Sequence, residues 1–189
     1  MQLVEELRET AGRAAKSINF GIVYGMSPYG LSQQLQISTE QAKTYIEKYF
    51  ERYPGVKKYL DETVEKARKD GFVSTYFKRR RYIPEITSKD PRFKSFAERT
   101  AINAPVQGTS SDVIKIAMIK IQEKIEKQNL ASRMILQVHD ELLFETPKDE
   151  LEKLVSLATH EMQQAVAFKV PMKVSVKAGL NWLDMEEIH

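Results

Sequence analysis

Residues 13–25 read RAAKSINFGIVYG, a stretch typical of an amphipathic helix. Lys16, Phe20 and Tyr24 are spaced four residues apart, so a helix stacks them on one face over about 12 Å. Arg13 lies about one turn before Lys16. These four side chains, called the stripe below, therefore present two cations and then two rings over roughly the length of a nucleoside triphosphate.

The order of these side chains suits a nucleotide ligand. The cations stand at the N-terminal end, where the helix dipole also favours phosphate, and the rings stand where a base or a sugar would stack. Gly25 predicts the end of the helix, because glycine readily adopts the left-handed conformation of a C-terminal cap. The alternative is an ordinary amphipathic helix with both rings in a core and both cations in solvent.

The composition favours one soluble domain or two small ones. The 189 residues are 42% hydrophobic and 29% charged, which supplies a real core. The chain holds no cysteine, which excludes disulfides and thiolate metal sites and favours a reducing cytoplasm. No apolar run is long enough to span a bilayer, so no membrane association is expected. The net charge of +3 is small.

Apolar spacing predicts mainly helices in the first half of the chain. Helices are expected over residues 5–24, after Pro28, over residues 39–52 with a cap at Ser38, and from Val56 to a stop at Asp70-Gly71. Residues 72–76 and 81–83 are expected to form a short hairpin that carries a basic run near its tip.

The second half is expected to combine helices with a small sheet. Residues 92–127 predict either two helices or one kinked helix, because Pro105 interrupts the pattern. The periodic apolar residues of this segment should face a core: Ile114, Ala117, Met118, Ile121 and Ile125. Residues 133–138 and 142–146 predict a hairpin, residues 151–166 a helix and residues 172–178 a final strand.

Three groups of polar residues suggest chemistry. His139, Asp140 and Glu141 join the two strands of the second hairpin, where adjacent carboxylates would offer oxygen ligands to a hard divalent cation. Arg99, Asn103 and Gln107 are spaced four residues apart, so a helix would place them on one face. Their side chains would donate hydrogen bonds to the grooves of a duplex. The basic run KRRR at 78–81 lies among aromatic residues, a mixture typical of phosphate-backbone binding. Polar turn residues and solvated surface are the alternatives.

Together these motifs resemble the family A DNA polymerases, the bacterial DNA polymerase I type. Residues 13–25 are similar to motif B of the fingers, residues 99–108 (RTAINAPVQG) to the primer-template contact helix, and residues 137–142 (QVHDEL) to motif C of the palm. Arg79-Arg80-Arg81-Tyr82 fits the segment between fingers and palm. The resemblance extends over essentially all 189 residues.

The resemblance implies a DNA-directed DNA polymerase that transfers nucleotides from dNTP to a primer 3′ end in DNA replication or repair, with Mg²⁺ as cofactor. The implied nucleotide-binding residues are Arg13, Lys16, Phe20 and Tyr24. The implied catalytic residues are Asp140 and Glu141, which are also the metal ligands, and Lys16. The implied contacts to primer-template DNA are Arg99, Asn103, Gln107, His139, Arg79, Arg80 and Arg81.

The implied fold is α+β, with a mainly helical fingers region at residues 1–91 packed beside a small antiparallel palm sheet within residues 92–189. Two features depart from the family. Gly12 stands where relatives commonly have an arginine, which removes one phosphate contact. Motif A, which supplies a palm strand and the other metal-binding Asp, is absent, so the isolated chain is expected to be a poor catalyst.

The missing strand would leave an unpaired sheet edge and an uncovered apolar face. Aggregation, dimerisation or an N-terminal polymerase segment that supplies the palm strand would cover it. The chain is therefore interpreted as a fragment, a split subunit or a truncated form beginning at Met1. The alternative function is a non-catalytic module that binds DNA and nucleotides with the polymerase fingers fold.

Overall fold

The computed structural model describes Ala15 and residues 18–188. The chain divides into two compact units, Met1–Val106 and Gln107–His189. In the described part, helices are accompanied by three antiparallel sheets of two strands each. This composition confirms the α+β class that the sequence predicts. None of the helices in these described residues is long and apolar enough to cross a membrane.

The first unit begins with helices whose ends mostly lie where the sequence predicts. They are α1, of which residues 18–23 are described, α2 at Pro28–Leu35, α3 at Thr39–Arg52 and α4 at Pro54–Asp70. Ser38 and Gln41 form a capping box at the start of α3, with reciprocal hydrogen bonds of 3.1 and 3.0 Å. Gly71 ends α4 with φ 74°. The predicted cap of α3 and glycine stop of α4 are both confirmed.

A single helix, α5, extends over Pro91–Lys127 with Pro105 inside it. The sequence predicts two helices or one kinked helix, and the structure has one continuous helix. Asp90 precedes it and supports its first turn, because Oδ1 accepts a hydrogen bond of 2.8 Å from the Arg92 amide. Residues up to Val106 belong to the first unit, and the remainder of α5 belongs to the second.

The core of the first unit lies under a short hairpin. Strands β1 (Phe72–Ser74) and β2 (Arg80–Tyr82) pair antiparallel, and a 3-10 helix at Pro84–Thr87 follows them. Val73 points inward from β1 and is 7% exposed. The buried cluster gathers residues from α4, the hairpin, the 3-10 helix and α5: Ala67, Val73, Ile83, Ile86, Ala97 and Ala101.

The second unit packs α5 against a second hairpin and a helix. The hairpin pairs β3 (Arg133–Val138) with β4 (Glu141–Glu145), and α6 spans Leu151–Gln163. The predicted core side of α5 is confirmed: Ile114, Ala117, Ile121 and Ile125 are buried and Met118 is half-buried. Helix α6 ends earlier than the predicted residue 166, although Ala165 beyond it is buried in the same core.

A polar cluster fixes the start of β3. The Glu150 carboxylate accepts hydrogen bonds from the Ala131 amide at 2.9 Å, the Ser132 amide at 2.9 Å and the Ser132 hydroxyl at 2.6 Å. The Ser132 hydroxyl also lies 2.7 Å from that of Thr146 at the end of β4. These bonds hold the two ends of the hairpin together.

The last hairpin differs from the predicted single strand over residues 172–178. Only Val176–Ala178 forms a strand, β5, and it pairs with β6 (Glu186–Ile188), which the sequence pattern does not predict. Asn181 organises the intervening turn, since its Oδ1 accepts bonds of 3.0 and 3.1 Å from two amides of the turn. The turn exposes Trp182 and two leucines, Leu180 and Leu183.

Candidate nucleotide and DNA interfaces

The described part of α1 presents an aromatic pair. Phe20 is 54% exposed, and its ring stacks on that of Tyr24 with centroids 6.1 Å apart and planes 14° apart. Ile22, between them in sequence, is 2% exposed and faces the interior. Phe20 therefore lies outside the core, while Tyr24 is half-buried. The two predicted cations of the stripe, Arg13 and Lys16, lie outside the described residues.

Gly25 ends α1 as its sequence predicts. Its φ is 75°, its amide donates to the Ile22 carbonyl at 3.0 Å, and the Met26 amide donates to the Gly21 carbonyl at 2.8 Å. This pair of bonds is a Schellman motif. A Cβ at Gly25 would lie 3.3 Å from Cγ of Arg99 on α5. The absence of a side chain thus lets the end of α1 approach Arg99.

The three predicted duplex-contact residues all lie on α5, Arg99 and Asn103 in the first unit and Gln107 in the second. Arg99 is exposed, and its Nη1 donates to Ser95 Oγ at 2.7 Å. Asn103 is half-buried, and its Oδ1 is shielded from solvent without a hydrogen-bond partner among the described residues. Gln107 is exposed. Arg99 and Gln107 therefore expose a guanidinium and an amide, while the Asn103 carbonyl oxygen is closed to solvent.

The basic run stands on the β1–β2 hairpin, as the sequence predicts. Arg79–Arg81 are exposed, and Lys78 adopts a left-handed conformation with φ 68° in the connection between the strands. Tyr76 and Phe77 lie in the same connection, with their rings edge to face and centroids 5.3 Å apart. The hairpin end is thus a compact basic and aromatic surface.

The acidic tip of the second hairpin is a turn of two residues. His139 and Asp140 form it, and Glu141 is the first residue of β4, paired with Val138. The predicted placement of Glu141 in the turn is wrong, because the strand ladder continues through it. His139 has φ 52°, and its carbonyl accepts a hydrogen bond of 2.6 Å from Gln137 Nε2. The side chains of residues 139–141 are all exposed.

Asp140 and Glu141 have the donor chemistry of magnesium ligands, since Mg²⁺ prefers carboxylate oxygens. Within the part of the chain that the structure describes, neither side chain has a salt bridge or hydrogen bond. No group of three or more His, Asp or Glu residues in that same part is placed to hold a metal ion. The two carboxylates therefore fit a portion of a divalent-cation site.

Three supporting residues are not singled out by the sequence. Ser95 holds Arg99, Gln137 bonds the turn at His139, and the Phe72 ring lies 4.5 Å from the Arg80 guanidinium. The four-residue spacing of Ser95 and Arg99 is a signal that the sequence does carry. The contact of Phe72 depends on strand register, which becomes known only from the pairing.

Comparison with known proteins places these features in a family. The model of DNA polymerase family A matches residues 2–184. DNA polymerase I of Caldicellulosiruptor bescii is 52% identical over 170 residues, which are 90% of this chain and 20% of that protein. DNA polymerase I of Geobacillus stearothermophilus is 48% identical over 180 residues, which are 95% of this chain and 20% of that protein.

A solved structure agrees with these relatives. The polymerase domain of Pol1 from M. smegmatis, in complex with DNA primer-template and dNTP, matches with a TM-score of 0.82 and 48% identity. The match covers 85% of this chain and 28% of that one. This chain spans about one fifth of the length of the curated relatives above. By the extent of the family match and by these identities, the chain belongs to DNA polymerase family A.

Proposed function

We propose that this chain forms a nucleotide- and DNA-contacting part of a DNA-directed DNA polymerase, which extends a primer 3′ end with dNTP in DNA replication or repair. The observation that carries the proposal is the exposed Phe20 ring on α1, which stacks on the half-buried Tyr24. The exposed Phe20 ring leaves apolar surface in water, and a base or sugar laid against it would cover that surface. Membership of the polymerase family supports the same function.

In this proposal the incoming dNTP lies along α1. Lys16 and Arg13 bind the triphosphate through charge-assisted hydrogen bonds to its oxygens. Phe20 contacts the sugar and base, and Tyr24 shapes the pocket for the nascent base pair. The close approach of Gly25 to Arg99 brings this end of α1 near one of the residues proposed for the duplex.

The primer-template duplex is assigned to α5, the acidic tip and the basic hairpin. Arg99, Asn103 and Gln107 contact the minor groove, and His139 contacts the primer terminus. The exposed side chains of Arg99 and Gln107 support this assignment, because their N–H groups are free to reach the acceptor atoms of the minor groove. The exposed guanidinium groups of Arg79–Arg81 contact phosphates of the backbone.

Asp140 and Glu141 are the residues that would hold Mg²⁺. When bound, Mg²⁺ would supply positive charge that stabilises the oxygens of nucleotidyl transfer. In the reaction the primer 3′ hydroxyl loses its proton, its oxygen bonds to the α-phosphorus of the dNTP, and pyrophosphate leaves. The residues of this chain contribute by binding and orienting the two substrates.

A further polymerase segment, N-terminal in the family, is proposed to supply the remaining metal-binding carboxylate. Such a segment would add a strand to the β3–β4 sheet and cover Ile135 and Leu136, which are 54% and 43% exposed. In this arrangement residues 1–91 act as the fingers region with the basic hairpin, and residues 92–189 act as the C-terminal part of the palm.

Removal of one cation from the stripe tests the nucleotide role. The Lys16→Ala variant should bind dNTP about tenfold more weakly, because a charge-assisted contact to phosphate is lost, and should bind duplex DNA almost unchanged. Titration of fluorescent dNTP and of labelled duplex measures both. Lys48→Ala, which removes an exposed lysine from α3, is the matched control and should affect neither. Equal losses for dNTP and duplex in Lys16→Ala would contradict the assigned role.

A non-catalytic module that binds DNA and nucleotides is the second candidate. It rests on the exposed Phe20 ring and the exposed arginines of the basic hairpin, because ring stacking and phosphate contacts need no metal site. Primer extension with Mg²⁺ separates the candidates. Extension that appears when an N-terminal polymerase segment is added supports the polymerase. Binding of DNA and dNTP with no extension in either mixture supports the module, and extension by this chain alone would refute its expected inactivity.

A further inference from the structure

The outer face of the β1–β2 hairpin carries an aromatic and cationic cluster. Phe72 pairs with Tyr82 and Ser74 pairs with Arg80, so these four side chains share the face opposite to the buried Val73. The Phe72 and Tyr82 rings are 5.7 Å apart and tilted by 59°. Tyr82 is 67% exposed. The cluster therefore faces solvent.

Arg80 is held on this cluster in a defined position. Its guanidinium carbon lies 4.5 Å from the centroid of the Phe72 ring, a diagonal neighbour across the ladder. No carboxylate pairs with Arg80 anywhere in the described residues. One face of the guanidinium is thus against a ring, while its N–H edge and its full charge stay available.

Arg81 provides the contrast on the same strand. It pairs with Val73 and therefore projects from the opposite face of the ladder, and in the described part it has no ring contact. Both arginines are exposed and both carry one positive charge. Arg80 differs in that its orientation is restricted before any ligand arrives, which lowers the conformational entropy lost on binding.

We propose that Phe72 is a positioning residue that orients the Arg80 guanidinium toward a phosphodiester of duplex DNA. The inference rests on the proposed DNA contact of the basic hairpin and adds which arginine is preorganised and by which side chain. A planar guanidinium with a free edge donates two parallel hydrogen bonds to phosphate oxygens. The ring supports the opposite side of the same group.

Binding of the full 189-residue chain to a labelled primer-template duplex, measured over a series of KCl concentrations, tests the proposal. Arg80→Ala should weaken binding about tenfold and reduce the slope of log K against log salt by about 0.9, the value for one phosphate contact. Phe72→Leu should weaken binding about two- to fivefold with an unchanged slope, because the charge remains and only its orientation is lost. Phe72→Tyr retains the ring and should bind as the unaltered chain does.

The double variant separates positioning from a structural role. If Phe72 acts through Arg80, the combination of Phe72→Leu with Arg80→Ala should bind no more weakly than Arg80→Ala alone. Additive losses would overturn the proposal. So would unchanged binding by Phe72→Leu, or weakened binding by Phe72→Tyr when thermal unfolding shows that the variant is folded.

The Arg81→Ala variant distinguishes failure of this inference from failure of the hairpin interface. Unchanged binding by Arg80→Ala together with weakened binding by Arg81→Ala would overturn the positioning role and leave the hairpin contact with DNA intact. Unchanged binding by both variants and by Arg79→Ala would overturn the hairpin contact as well.

Discussion

Residues other than glycine lose conformational free energy when their backbone is left-handed. Within the described residues, those other than glycine with positive φ are Gln36, Lys78, Asn129 and His139. A side chain with a Cβ loses about 1–2 kcal/mol in this conformation, and glycine does not. Gln36 caps α2 with φ 55°, and its amide donates to the Ser32 carbonyl. The position is thus a helix cap that would favour glycine.

Gln36→Gly should raise the free energy of unfolding by about 0.5–1 kcal/mol. The gain is the relief of the left-handed strain, less the larger chain entropy that glycine loses on folding. Urea unfolding measures it. Gln33→Gly, at an exposed position inside α2, is the matched control and should lower the same quantity by about 1 kcal/mol. A loss of stability in both variants would contradict the strain at Gln36.

Glu150 should make stability depend on acid pH. Hydrogen bonds from the Ser132 side chain and then from the Ala131 amide hold the pKa of Glu150 below its ordinary value of 4.5. Because the folded pKa is depressed, its stabilising contribution is present above about pH 4.5 and is lost as the pH falls through the folded pKa. Urea unfolding of Glu150→Gln should show lower stability than the unaltered chain at pH 7 and no difference at the lowest pH.

Glu152→Gln is the control for this effect, because Glu152 is exposed at the start of α6. It should follow the acid dependence of the unaltered chain. The Glu150→Gln variant could instead lose stability between pH 7 and the acid range as steeply as the unaltered chain. That result would show that Glu150 does not cause the acid dependence of stability.

At the scale of the element, capping decides where α3 begins. Ser38→Ala should lower the free energy of unfolding by about 1 kcal/mol, because the backbone N–H of Gln41 loses its acceptor, the Ser38 hydroxyl. Ser38→Asp supplies another acceptor and should restore most of the loss. Thermal or urea unfolding distinguishes the two variants. Equal destabilisation by both would show that the side-chain cap contributes nothing.

Elements with strong local signals are predictable from the sequence, and elements fixed by pairing are not. Helix α3 begins and ends at the predicted residues, because the capping box and the apolar spacing act locally. Strand β6 carries Glu186 and Glu187 without an apolar alternation, so only its pairing with β5 makes it a strand. Glu141 resembles a turn residue in sequence, but the ladder with Val138 extends β4 to include it.

In the candidate site, too, locally determined features are predictable from the sequence and features fixed by packing or pairing are not. Helical spacing predicts that Phe20 and Tyr24 share a face, and their stacked rings agree with it. Spacing alone leaves open whether that face is a core or a surface, because burial depends on the rest of the fold. The contact between Phe72 and Arg80 joins strands whose register depends on the intervening turn. Such side-chain partners remain beyond a sequence-based prediction.

At the scale of the whole molecule, the β3–β4 sheet has the properties of a self-association site. It has two strands, and Ile135 and Leu136 on β3 are exposed. We expect the chain to associate with itself as concentration rises, and Ile135→Lys to reduce that association by placing a charge beside the strand edge. Sedimentation velocity measures the change.

Ile119→Lys is the matched control, since Ile119 is 61% exposed but lies on helix α5, where the backbone is already hydrogen-bonded. It should leave most of the association in place. Equal reduction by both variants would assign the association to general apolar exposure rather than to the sheet.

The turn between β5 and β6 gives this chain a built-in optical probe. Trp182 is its single tryptophan, and 53% of the residue is in contact with water. Indole emission shifts to longer wavelength in a polar environment and collisional quenchers such as acrylamide reach an exposed ring. Any segment that covers the β5–β6 turn should therefore shift the Trp182 fluorescence to shorter wavelength and protect it from quenching. The measurement needs no dye or label.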